Sequence, residues 1–352
     1  MTKKVSRFSR WWTRFTNFEF WPFDVFYFPV KFYYLFLSIR SRSLFFFTAS
    51  NPSIEFGGML GEKKSEIFDL IPDEYIPITR LFPPHVSKEE VLSHLSQMGL
   101  SFPIISKPDV GERGWMVAKL DSEEELTQYL QVIEVDFLIQ EFIDYPIELG
   151  VFFIKVPGES QGKVTSIVKK GFLTVTGDGK SNVQELLEQS VRAVLQVDFE
   201  STEVLAKAND IPKKGENVLI ESIGNHCRGT TFLNYNDWIN EELHAAFNKI
   251  SDQIKDFHFG RFDLKCTSIE SLRQVKEFKI LELNGAGSEP GHVYHPGNSI
   301  FQAYRDIFWH LKMLRKVSSA NHKRGQHYWK FSDGIKKMRE IYAYNKQKGS
   351  PK

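Results

Sequence analysis

From residue 102 onward, apolar and polar positions follow two rhythms. FPIISKP (102–108), WMVAKL (115–120), DFLIQEFI (136–143), ELGVFFIKV (148–156) and KVTSIVKKGFLTV (163–175) are short apolar-rich runs and predict strands. SEEELTQYLQVI (122–133, with Ser122 as N-cap), SNVQELLEQSVRAVLQV (181–197) and DWINEELHAAFNKISDQIKDF (237–257) carry helical spacing. FGRFDLKCTS (259–268) and EFKILELNG (277–285) predict two more strands, and a last helix is expected over 299–316. Upstream, residues 51–85 are rich in Pro and Gly and read as loops around one short helix at 64–70. A helix follows at 87–98, with Ser87 as cap and Glu90 three residues on, the capping-box pattern. No internal repeat is visible.

The polar residues that interrupt these strands carry the chemistry. Glu282 and Asn284 stand two apart in KILELNG, so they share a strand face, and Arg261 and Asp263 do the same in GRFDLKC. If these strands pair, Asp263, Glu282 and Asn284 form an all-oxygen cluster beside Arg261. Such hard ligands suit Mg²⁺, which takes its other ligands from water and phosphate. The plain alternative is a surface ion-pair cluster with Arg261 and Lys265, but Leu264, Ile280, Leu281 and Leu283 imply partial burial. His226, His292 and His295 lack the spacing of a zinc-binding helix.

Two further segments suit a nucleotide. In SKPDVGERG, Lys107 ends a strand and a loop with Gly111 and Gly114 follows. Backbone amides of a Gly-rich loop can approach phosphate, and the lysine adds a point charge. It is not a P-loop, because Lys precedes the glycines and no helix follows; alone it reads more readily as a hairpin with a surface lysine. Glu141 ends one strand and Glu148 starts the next, across a short connector whose backbone could read an adenine edge.

Composition changes this picture mainly at the ends. The 352 residues suffice for about two domains. Thirteen of the 31 Phe lie within residues 1–56. Residues 18–39 are long enough to span a bilayer, yet Glu19, Asp24, Lys31, Pro22 and Pro29 argue against a span. Two readings stay open: an interfacial segment, or a helix packing its aromatic face on the body. Residues 1–50 carry +6 and 311–352 carry +10, leaving −15 for the middle of a chain whose total is +1. Basic ends around an acidic body suit an anionic partner, or are simply solvated. No nucleic-acid motif is found. Two cysteines and no secretory signal lead to an expected cytoplasmic location, with the inner face of the membrane as an option. The expected division is an aromatic basic segment (1–50), a reduced region (51–100), a main domain (101–316, divided at 170/171) and a basic tail of uncertain order (317–352).

Taken in order, Lys107-Pro108 with its Gly loop, Glu141…Glu148, Arg261…Asp263 and Glu282…Asn284 resemble the ATP-grasp superfamily, in particular the D-alanine–D-alanine ligases. LTVTGDGKSNVQELL (173–187) and GNHCRGTTF (224–232) look like the ligase core of cyanophycin synthetase and its glutathione-ligase relatives. The resemblance covers about residues 75–300 and implies an α+β fold in which two subdomains clasp ATP. It places Lys107 on nucleotide phosphate, residues 109–115 as a flap, Glu141, Phe142 and Ile143 as the adenine hinge, and Glu148 on the ribose. Lys169 or Lys170 would reach the nucleotide, and the register leaves that choice open. Asp263 would bind one Mg²⁺, Glu282 would bridge two and Asn284 would complete the second site, with Mn²⁺ as an alternative ion. Arg261 and Arg228 would stabilise charge on the transferring phosphoryl group.

The function so implied is ADP-forming ligation of a small-molecule carboxylate to an amine through an acyl phosphate, on an amino acid or small peptide. Two other outcomes stay open: an ATP-binding, membrane-associated module with little turnover, and a small-molecule kinase. The chain departs from the family before the lysine strand, where only 51–100 stand in for a fuller α/β domain; NPSIEFGGMLGEKK, with Lys63 or Lys64, could form a substitute wall. Glu289 and His292, with Tyr294 and His295, are the candidate acceptor-side residues.

Overall fold

The computed structural model describes residues 5–112, 114–199, 201–221, 224 and 229–347, with the side chains of Thr202 and Glu203 left aside. Arg228, His226 and Cys227 therefore lie outside the described residues.

The aromatic segment forms α1 (Arg7–Thr16), α2 (Phe23–Phe26) and α3 (Phe28–Ser41), followed by α4 (Lys64–Phe68). Next come β1 (Thr79–Phe82), α5 (Lys88–Gln97), β2 (Ile104–Pro108), β3 (Ala118–Leu120), α6 (Glu123–Val132) and β4 (Phe137–Glu141). These four strands make one antiparallel sheet in the order β1-β4-β2-β3. The Ser87 and Ser122 hydroxyls cap α5 and α6 by accepting from the N–H of Glu90 and Glu125. Val91, Leu95, Leu126 and Tyr129 then reach Phe82, Ile104, Phe137 and Ile139 of the sheet.

The second sheet is built from β5 (Ile147–Ile154), β6 (Lys163–Gly171), β9 (Thr231–Asn234), β10 (Phe259–Cys266) and β11 (Phe278–Asn284), in the order β11-β10-β5-β6-β9. Between β6 and β9 lie β7 (Thr174–Thr176), α7 (Val183–Gln189), α8 (Val191–Gln196), α9 (Thr202–Leu205) and β8 (Asn217–Leu219), with β7 and β8 paired. The helix expected over 181–197 is thus two. Ser190 sits extended between them and its hydroxyl caps α8 at the Ala193 N–H, a local bond that competes with helix continuation. α10 (Glu241–Ser251) is shorter than the expected 237–257, because Asn240 caps it at the Leu243 N–H after a 3₁₀ turn at Asn236–Trp238.

One face of this sheet packs on α10, α4 and α11 (Ile269–Arg273) through Phe247, Ile250, Phe68 and Leu272. The other packs on the chain ends. α12 (Ile300–Lys323) runs past the expected end at 316, and a second helix, α13 (Phe331–Gln347), occupies the stretch read as a tail. Leu314 and Val317 of α12 meet Phe152 and Phe259 of the sheet and Phe45, Phe46 and Phe56 from the N-terminal region. Phe18, Phe26 and Val30 pack on Ala303 and Ile307. The inner face of the aromatic segment is therefore core, as one of the two readings required. No described helix is long and apolar enough to cross a membrane.

Candidate active site

A cavity of about 1390 Å³ lies between the two sheets, and most of the residues singled out from sequence line it. β10 and β11 pair antiparallel with Asp263 opposite Glu282 and Arg261 opposite Asn284, which puts all four on the cavity side. Just beyond, Leu264 pairs with Ile280, so Leu281 is an extra residue, a β-bulge. Its carbonyl accepts a 2.9 Å hydrogen bond from Nζ of Lys107, which comes from the other sheet. Lys107 also donates to Oε1 of Gln140 (3.0 Å) and lies 5.0 Å above the Phe68 ring. Burial pulls this ammonium down to about 7; Glu282 opposes the shift and Lys64 adds to it.

The Asp263 carboxylate is held by cations. Nε and Nη2 of Arg261 donate to the two oxygens of Asp263 at 2.7 and 3.0 Å, and Nζ of Lys170 lies 3.7 Å away. Burial acts to raise the Asp263 pKa, but Arg261 and Lys170 outweigh it and hold the carboxyl below its ordinary range. Lys170 also donates to Oε1 of Glu148 at 2.8 Å. Burial disfavours its charge, yet Asp263 and Glu148 keep its pKa raised. The register of β6 against β5 turns the two lysines to opposite faces. Lys170 faces the cavity, whereas Lys169 reaches over the Tyr235 ring at 5.6 Å.

Glu141, Phe142 and Ile143, expected as the adenine hinge, line the same cavity. The Glu141 carboxylate accepts from the Ile78 N–H, the Ile143 carbonyl accepts from Lys265, and Lys119 and Lys265 each lie 5.1 Å from the Phe142 ring. Gly111 and Gly114 belong to the loop after β2 and also line the cavity. That loop is tied at its base: Lys64 donates to the Gly111 carbonyl, and the Asp109 carboxylate accepts from both the N–H and the hydroxyl of Ser65.

Of the acceptor-side candidates, Glu289 and Tyr294 line the cavity and His292 does not. His292 is buried behind the wall, bonded to Ser166 (2.7 Å) and Asp306 (3.2 Å). Burial lowers its pKa, with Asp306 opposing. His295 Nδ1 accepts from the Asn234 N–H at the edge of the sheet. Tyr294 donates to Oε2 of Glu289, and the Tyr27 hydroxyl is 3.1 Å from that of Tyr294. Arg261 Nη1 donates to the Glu289 carbonyl. Glu289 thus joins two sets of contacts, its carboxylate meeting Tyr294 and through it Tyr27, and its backbone carbonyl meeting the Arg261–Asp263 pair.

Lys63 and Lys64 line the cavity, where a substitute wall was expected; Glu62, the aromatic wall and α13 escaped the sequence reading. The loop 51–62 pairs with the loop leaving β11, through Ala286 N–H to Gly57 O and Gly287 N–H to Gly58 O. This brings Glu62 beside Glu282, with a buried Oε2 that has no partner; burial raises its pKa and Glu282 adds to the rise. Phe18, Trp21, Phe23 and Phe26 wall the cavity, as do Ile341 and Tyr344 of α13, whose Tyr344 hydroxyl donates to the Val110 carbonyl. The GEKK of the loop was the available signal for Glu62; for α13, only the spacing of its apolar residues was.

No family model matches the chain, and no curated protein matches it. Solved structures do. The chain is similar to the VanG D-Ala:D-Ser ligase of Enterococcus faecalis at 14% identity and TM-score 0.42, over 74% of this chain and 61% of that one. It is similar to the D-alanine–D-alanine ligase of Coxiella burnetii at 10% identity and TM-score 0.40, over 79% and 61%. With the bifunctional glutathione synthetase of Pasteurella multocida, identity is 13% and the TM-score 0.37, over 70% of this chain and 35% of that one. In all three, less than two thirds of the matched chain is spanned.

Proposed function

We propose that the protein is an ATP- and Mg²⁺-dependent, ADP-forming carboxylate–amine ligase of the ATP-grasp kind. The observation that carries this reading is convergence: Lys107 of one sheet and Asp263, Glu282 and Asn284 of the other meet across one cavity.

The donor set fits the ion. Asp263, Glu282 and Asn284 offer only hard oxygen ligands, and the amide Nδ2 of Asn284 is buried without a partner, a position its Oδ1 takes on a flip. No group of three His, Cys, Asp or Glu gathers around one point among the described residues, so the remaining ligands would come from phosphate and water. When bound, Mg²⁺ would offset the charge of the triphosphate. Lys107 and Lys170 would supply positive charge along the phosphates, and Glu141, Phe142 and Ile143 would receive the adenine. Arg261, fixed by Asp263, would face the reacting phosphoryl group.

The substrate carboxylate oxygen attacks the γ-phosphorus, the bond to ADP breaks, and an acyl phosphate forms. The amine nitrogen then attacks the acyl carbon, phosphate leaves, and the nitrogen sheds a proton. An acyl phosphate exposed to water is lost to hydrolysis, which gives the loop after Lys107 its task as a lid. Preorganised charge supplies most of the acceleration in such transfers.

The test is phosphate release by the purified chain with Mg-ATP across a panel of carboxylate and amine pairs. Asp263→Asn and Glu282→Gln should each reduce release by about 10²–10³. Unchanged release in both would remove the metal assignment, and phosphate retained on the product would identify a kinase.

A further inference from the structure

The outer side of the aromatic segment is exposed among the described residues. α1 buries none of its side chains. Phe8, Trp11, Trp12 and Phe15, spaced i, i+3, i+4 and i+7, are 51–69% exposed and touch one another ring to ring. Arg7, Arg10 and Arg14 fall on the other positions of the same helix. α3 repeats the pattern: Val30 and Leu37 are buried, while Phe28, Phe32, Leu35, Phe36 and Ile39 are 50–70% exposed. The exposed face of α1 continues onto the start of α2, because Trp11 and Phe15 share one apolar hollow with Trp21, Pro22 and Val25.

The charge on this surface has one sign. Its two acids are already matched, Glu19 by Arg192 at 2.6 Å and Asp24 by Lys31 at 2.6 Å. Arg7, Arg10 and Arg14 are not cancelled by any acid of their own helix, and Arg40 lies 5.7 Å from the Phe36 ring. Contiguous exposed aromatic surface of this extent marks an interaction site. A second copy docking here would bring arginine against arginine. A bilayer with anionic headgroups suits both features, since Trp and Phe partition to the interface and Arg pairs with lipid phosphate. No described helix can cross a bilayer, so the segment would lie on it.

We propose that residues 7–39 dock the protein on an anionic lipid surface, with α1 and the outer side of α3 in the headgroup region. Phe18, Trp21, Phe23 and Phe26 of the same segment wall the cavity. Docking therefore sets one wall of the cavity at the lipid. The docking itself does not depend on the ligase reading, since it concerns the outer face alone.

The experiment is co-sedimentation of the full chain, without nucleotide, on vesicles of phosphatidylcholine with or without phosphatidylglycerol. Two triple variants accompany it, Trp11→Ala/Trp12→Ala/Phe15→Ala and Arg7→Glu/Arg10→Glu/Arg14→Glu. All six side chains lie on a helix that buries nothing, so thermal melts should match the parent. The parent should bind the phosphatidylglycerol vesicles, and the Arg variant should bind about a hundredfold more weakly. The aromatic variant should also lose binding, and pure phosphatidylcholine should retain little of the parent. Absence of binding by the parent would overturn the proposal, as would binding by both variants as strong as the parent's. So would a dimer in solution that the aromatic variant converts to monomer without any change in vesicle binding.

Discussion

Lys107 is an ammonium held in a buried place, at about 7 against 10.5 for an ordinary lysine. Between those values the unfolded chain binds more protons than the folded one. The burial penalty is thus complete below pH 7, and its relief makes stability rise with pH from about 7 toward 10.5. Nucleotide phosphate reverses the preference by favouring the charged form. Mg-ATP binding at pH 8 should therefore take up protons, up to about one per nucleotide, and affinity should fall as pH rises above 7. Calorimetry in buffers of different ionisation enthalpy measures this uptake, which Lys107→Met should abolish; no uptake by the parent would mean Lys107 is already charged. The two neighbouring lysines of β6 give a second contrast. Lys170→Met strands Glu148 in a buried site and removes the second cation beside Asp263, which should cost about 3–5 kcal/mol in urea unfolding. Lys169→Met removes only a cation–π contact with Tyr235, worth about 0.5–1 kcal/mol. The family resemblance marked both lysines as candidates. Which one faces the cavity was not legible in the sequence, because a shift of one residue in register exchanges the two faces of a strand.

At the scale of elements, the pair β10–β11 does most to build the site. Antiparallel register sets Asp263 against Glu282, and the bulge at Leu281 frees a carbonyl for Lys107. The neighbouring strand β5 leaves room for the ion pair at Gly150, which sits opposite Asp263. A Cβ there would lie 3.2 Å from Oδ1 of Asp263 and 3.4 Å from Cδ of Arg261. Gly150→Ala should therefore displace the pair, costing about 1–3 kcal/mol in stability and lowering phosphate release more than stability alone explains. A variant with parental release would show that the pair has slack. The alternation of charged and apolar residues made the two polar faces of β10 and β11 visible in advance. The bulge carried no sequence mark, and α13 was missed because its basic composition masked an apolar spacing that docks Ile341 against Gly61.

At the scale of the molecule, the site exists only where the two sheets meet, with the chain ends closing its sides. A ligand that bridges the sheets should stabilise the whole. Mg-ATP at about a hundredfold its Kd should add about 2.7 kcal/mol. A thermal melt should show a rise of several degrees that EDTA removes, and an EDTA-insensitive rise would count against a metal-bridged nucleotide. The sequence by itself determined the strands β2 to β5, β10 and β11 and the helices α5, α6 and α10, the caps of α5 and α6, and the candidate residue types, but not β7, β8 and β9, where the pattern predicts one strand over 163–175. Each of these follows from local spacing, capping bonds or side-chain chemistry. Only the tertiary structure decided that Lys170 and not Lys169 enters the site, that Glu62 joins Glu282, that His292 stands behind the wall, and that both ends of the chain enclose the cavity. Those outcomes depend on strand register and on contacts between distant segments. No single window of sequence contains both partners of such a contact.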